Sequence, residues 1–129
     1  MAGITTAIRV QDMDAALHVY IDVLGFRPVR PVDSAHNSLE RGDARLMLEA
    51  LQGFYSPAYN AEIAERLGSR SAQALYIEAP DLDALYAAAQ KAGLRIVDPL
   101  ATRDWGQTEF TVEDPDGTWL TFYRIGPAQ

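Results

Sequence analysis

The chain has 129 residues, 48% of them hydrophobic, with no cysteine and a formal net charge of −7. That length supports a single domain with a real core, and the lack of thiols excludes disulfides, thiolate metal sites and a cysteine nucleophile. The acidic balance disfavours a nucleic-acid partner, and no basic-then-apolar leader or run of 18 apolar residues occurs, so the expectation is a cytoplasmic protein with no membrane partner.

Ile4–Val10 reads as a strand. Asp12 follows as an N-cap, and a helix is expected through Leu24 with Gly25 as its stop. Ala16, Val19, Tyr20 and Val23 form its apolar stripe, while Asp14, His18 and Asp22 fall at i, i+4 spacing on the opposite face. Strands are expected over Phe26–Val32, Asn37–Arg41 and Ala44–Leu51, the first an edge because Pro28 and Pro31 lack the N–H a ladder needs. Residues 53–70 make a connector that could serve as a lid, with two tyrosines and a short helical run, Asn60 to Leu67, closed by Gly68.

The order then repeats. Ala72–Ala79 is a strand, Asp81 an N-cap, and a helix carries Leu82, Leu85, Tyr86, Ala89 and Ala92 up to Gly93. Strands follow near Leu94–Val97, over Gln107–Glu113 and over Thr118–Arg124. Between the last two, Asp114-Pro115-Asp116-Gly117 is a hairpin: Pro115 presets φ, Asp116 can bond its own backbone and Gly117 accepts a positive φ. Val10-Gln11-Asp12-Met13-Asp14-Ala15 aligns with Ala79-Pro80-Asp81-Leu82-Asp83-Ala84, and Leu24-Gly25-Phe26 with Ala92-Gly93-Leu94. The fold class is therefore α+β, two tandem βαβββ modules at about 1–52 and 71–126 forming a curved mixed sheet around a cleft within one domain.

This layout resembles the vicinal oxygen chelate superfamily, which holds glyoxalases, extradiol dioxygenases, fosfomycin-resistance enzymes and bleomycin-resistance proteins. The resemblance covers almost the whole chain. It is carried by Val10 with Asp12-Met13-Asp14, Tyr20 with Leu24-Gly25-Phe26, Gly42-Asp43-Ala44 with Leu46-Met47-Leu48, and Trp105-Gly106 with Asp114-Pro115-Asp116-Gly117. It implies four inward positions that hold a divalent metal in the family's enzymes, usually through His and Glu. Carried over, they fall at Thr5, Glu49, Ala74 and Thr121, of which Glu49 alone has ligand chemistry. A catalytic transition-metal site needs about three protein donors. His18 reads as a surface ion-pair partner of Asp14 and Asp22, and His36 as a loop residue outside the ligand positions. No metal and no cofactor are expected.

Strand alternation lists what the inner face offers instead. Leu46, Leu48, Leu75, Ile77, Phe110, Val112, Leu120 and Phe122 point to the core. Thr5, Ala7, Arg9, Arg45, Met47, Glu49, Ala74, Tyr76, Glu78, Gln107, Glu109, Thr111, Trp119, Thr121 and Tyr123 point the other way. Aromatic faces stack on flat rings and attract cations, and carboxylates pair with ammonium or guanidinium groups. The candidate ligand-binding set is Glu49, Tyr76, Glu78, Trp105, Glu109, Trp119, Thr121 and Tyr123, with Trp105 either closing the cleft or capping the core. The set suits a small, aromatic, cationic molecule, held without metal as the resemblance to bleomycin-resistance proteins implies, in a homodimer. Two alternatives stand beside it: an enzyme using Glu49 or Glu109 as acid/base, and a non-catalytic interaction module. In a blander version Arg9 and Arg45 neutralise Glu49 and Glu78 on a solvated sheet. No serine has a histidine base arranged beside it, and there is no glycine-rich phosphate cradle.

Overall fold

The computed structural model describes residues 5–51, 56–66 and 73–126. Ile4, Ala72 and the Leu67–Gly68 helix stop lie outside the described residues. Two compact units, Met1–Ser69 and Arg70–Gln129, each carry one four-stranded mixed sheet. The first is built from β1 (Thr6–Val10), β2 (Arg27–Pro28), β3 (His36–Arg41) and β4 (Ala44–Ala50), ordered β1-β4-β3-β2. The second uses β5 (Ala74–Glu78), β6 (Arg95–Thr102), β7 (Gln107–Glu113) and β8 (Trp119–Ile125), ordered β5-β8-β7-β6. In both, the first and last strands pair in parallel and the rest are antiparallel. The repeat in the sequence is thus a repeat of topology.

The helices begin and end where small-residue chemistry dictates. Asp12 accepts from the Ala15 amide at 3.1 Å and starts α1 (Met13–Leu17), and the chain then widens to π-helical winding over His18–Val23. Met13, Ala16, Leu17, Val19 and Tyr20 are buried, while Val23 is half-buried, so the expected stripe is shifted toward the helix start. In the second unit, α3 (Leu82–Lys91) closes with the Leu94 amide on the Ala89 carbonyl (3.1 Å) and Gly93 on Gln90 (3.0 Å), with Gly93 at φ 75°. That is the Schellman closure. The first unit makes the same turn one residue wider: Phe26 N–H reaches Tyr20 at 2.9 Å, Gly25 sits at φ 80°, and the Leu24 carbonyl is taken by Arg41 Nε at 2.8 Å.

Each core lies between the helix and one sheet face. Tyr86 of α3 meets Phe110 edge-on at 4.9 Å between centroids, and Phe110 meets Phe122 at 5.7 Å; Val112, Leu120, Phe110 and Phe122 are fully buried. Tyr20 meets Phe26 at 5.7 Å over Leu39, Leu46 and Leu48 in the first unit. The alternation in the sequence assigns these faces correctly.

Four expectations need correction. The strand foreseen over Phe26–Val32 is only Arg27–Pro28, because prolines at 28 and 31 interrupt any longer ladder. The strand foreseen over Leu94–Val97 runs on to Thr102, with register shifts on both sides of Asp98 that accommodate Pro99 on an edge strand. The connector helix, α2, spans Pro57–Arg66 instead of starting at Asn60, with proline in its first turn and the Ser56 hydroxyl accepting from Tyr59 N–H at 3.1 Å. In the last hairpin the bracing carboxylate belongs to Asp114: its Oδ1 accepts from the Asp116 and Thr118 amides at 2.9 and 2.8 Å, and Gly117 takes φ 90°.

Candidate functional site

The face of the second sheet opposite α3 carries the aromatic cluster. The register sets Tyr76 beside Thr121, and Tyr123 between Glu78 and Glu109. Tyr76 and Tyr123 lie 5.1 Å apart between centroids at an interplanar angle of 34°, and Tyr76 is 54% exposed, so an aromatic surface faces solvent. Tyr76 donates its phenolic hydrogen to Glu109 Oε2. The other oxygen of Glu109 faces Arg103 Nε at 3.8 Å, and the same guanidinium donates to Asp98 Oδ2 at 2.7 Å and to the Pro99 carbonyl at 3.2 Å. Glu109 is only 7% exposed, and both its oxygens have partners.

The bond to Glu109, reinforced by desolvation, pushes the Tyr76 hydroxyl up to about 12 from an ordinary value of 10.0. A phenol whose folded value is raised binds its proton more tightly than in the unfolded chain. Its stabilising contribution is therefore complete below pH 10 and fades as pH climbs from 10 toward about 12. Ultraviolet titration should find one tyrosine ionising near the top of that window in the native protein, and Glu109→Gln should bring it back toward 10.

Six of the eight expected ligand-binding residues are thus in the second unit's sheet, and Tyr76, Glu78, Glu109, Thr121 and Tyr123 adjoin one another there. Thr121 is buried and bonded to Thr111 at 2.7 Å, so it forms the floor. Trp119 shares the face but lies four residues along β8 from Tyr123, about 13 Å at the usual strand rise. Its indole donates to Glu113 Oε1 at 3.1 Å, and Glu113 also holds Arg95 at 2.9 Å. Trp105 stands at the β6–β7 hairpin, 64% exposed, and does not cap the core. Glu49 belongs to the first unit.

On the corresponding face of the first sheet, Glu49 is 3% exposed and lies between two basic groups. Arg9 Nη2 is 3.7 Å from Oε1 and His36 Nε2 3.9 Å from Oε2. Arg9 also donates to the Leu51 carbonyl and to Asn60 Oδ1, both at 3.2 Å, and lies 5.5 Å from the Tyr59 ring centroid. The connector helix is thereby tied over the Arg9–Glu49 end of this face. His36 is not a loop residue: it opens β3 directly opposite Glu49, with Nε2 3.2 Å from Met47 Sδ. Parity with Ser38 and Glu40 could have placed it, had the strand been started one residue earlier. Arg45 pairs with Glu40 at 3.4 Å, so it does not neutralise Glu78.

Of the four metal positions Thr5, Glu49, Ala74 and Thr121, Glu49 alone has ligand chemistry, and Arg9 and His36 already face it. Among the described residues no group of three or more His, Asp or Glu side chains is placed to hold a metal ion. The residues present do not fit the family's divalent metal.

Two sheets of identical strand order, each with one helix-packed and one open face, define a protein of paired βαβββ modules. The chain belongs to the Glyoxalase/Bleomycin resistance protein/Dioxygenase superfamily, whose family model matches residues 4–122. Among solved structures it is similar to a bleomycin-binding protein complexed with bleomycin: 25% identity, TM-score 0.66, covering 96% of this chain and 98% of that one. It is also similar to the bleomycin resistance determinant encoded on the transposon Tn5 (24%, TM-score 0.67, 97% and 98%). A third is TioX from Micromonospora sp. ML1 (22%, TM-score 0.73, 97% and 99%). A search of curated protein sequences found no match.

Proposed function

We propose that this protein binds a small, planar, cationic molecule on the open aromatic face of its second module, without a metal and without altering what it binds. The observation that carries this is the pair of exposed Tyr76 and half-buried Tyr123, flanked by Glu78 and Glu109. Flat cations are attracted by the ring quadrupole and by the carboxylates beside it. The lack of imidazole or carboxylate at Thr5, Ala74 and Thr121 supports the same reading, as does likeness to a protein that binds bleomycin. Trp105 and Trp119 extend the surface, and Thr121 floors it. A cytoplasmic homodimer completes the proposal.

An acid/base reading of Glu109 is less well supported. Its oxygens are already taken by Tyr76 and Arg103, and Tyr76, raised as it is, holds its own proton at neutral pH. The test is a tryptophan-fluorescence titration with bleomycin and simpler aromatic cations. Saturable quenching, weakened in Tyr123→Leu and in Trp119→Ala, is the expected result. Unchanged fluorescence across the series would leave the interaction-module reading in its place.

A further inference from the structure

The carboxylates on the two open sheet faces are not equivalent. Glu49 is buried against Arg9, and Glu109 against Arg103 and Tyr76. Glu113 holds Arg95 and the Trp119 indole, and Glu40 lies between Arg27 and Arg45. Glu78 differs from all of them. It is exposed, and among the described residues its side chain has neither a hydrogen bond nor an ion pair. It ends β5 opposite Tyr123 and two residues from Tyr76 on the same strand face, within about 7 Å of both along the sheet.

We infer that Glu78 is the specificity-determining residue of the site, the carboxylate that takes the ligand's positive charge while the ring system lies on Tyr76 and Tyr123. This rests on the functional reading above and narrows it. The ligand is a flat aromatic whose cationic group, an ammonium or amidinium, projects from the ring edge, because Glu78 stands at the margin of the tyrosine pair. Glu109 has a different part. Its bond fixes the Tyr76 phenol, which makes it a positioning residue; its charge is already met by Arg103. A ligand cation approaching Glu109 would have to displace a guanidinium that Asp98 also holds, whereas at Glu78 it displaces no side chain among the described residues.

The experiment uses a matched pair of probes, 1-pyrenemethylammonium and 1-pyrenesulfonate, titrated against the full chain by fluorescence. Wild-type protein should bind the ammonium saturably and the sulfonate about tenfold more weakly. Glu78→Gln should weaken the ammonium about five- to tenfold, as loss of a charge-assisted contact beside an aromatic face does. Asp14→Asn removes the same charge from the exposed side of α1 and should change affinity less than about twofold, as a change of net charge alone does in screening salt. Glu78→Lys should reverse the preference toward the sulfonate. Equal effects of Glu78→Gln and Asp14→Asn would overturn the assignment while leaving the binding reading intact. Failure of the wild-type chain to bind the ammonium probe would overturn both.

Discussion

Arg9→Met should destabilise the protein by about 3 kcal/mol, more than the usual loss from removing one surface charge. Arg9 and Glu49 are 9% and 3% exposed, so removing the guanidinium leaves a buried carboxylate without that basic partner at 3.7 Å, His36 standing at 3.9 Å. It also releases the Asn60 and Leu51 hydrogen bonds and the Tyr59 contact that tie the connector helix down. Glu49→Gln should cost less, because Arg9 keeps those three partners. The Arg9→Met/Glu49→Gln double variant should recover part of the loss, since neither buried charge then remains. Urea unfolding of the four proteins reads the cycle, and strictly additive losses would show that the pair is not coupled.

Phe110→Ala should cost about 3–5 kcal/mol, the range for truncating a buried aromatic. Phe110 is fully buried and joins Tyr86 of α3 to Phe122 of β8, so the cavity would lie where helix and sheet meet. A loss of that size approaches the whole stability of many small domains. Phe110→Leu, which keeps most of the volume, should lose clearly less. Thermal unfolding that leaves the alanine variant within a few degrees of wild type would mean that this core is not where the second unit's stability resides.

How far the sequence could be read depended on whether a feature is local. Asp12 and Gly25, Gly93, and the Asp114–Gly117 turn act on their own neighbours, so both helices and the last hairpin were legible. Period-two alternation in Gln107–Glu113 and Thr118–Arg124 was enough to separate Phe110 and Phe122 from Glu109 and Tyr123. Partner choice was not legible. Nothing local tells that Arg103 folds back from its hairpin onto Glu109, or that Arg45 turns to Glu40. His36 was lost to a one-residue error at a strand start. The widened turn of the first helix was equally hidden, as was Arg41 reaching the Leu24 carbonyl at its end from seventeen residues on.

Flat cations held by rings and a lone carboxylate, with no help from a transition ion, is the claim on which the rest stands. Calorimetric titration of chelator-stripped protein with bleomycin tests it most directly, followed by recovery and mass analysis of the compound. Saturable binding unchanged by added zinc, nickel or manganese, with the compound returned intact, is the predicted result. Binding that appears only after one of those ions is restored, or a compound recovered in altered form, would contradict it.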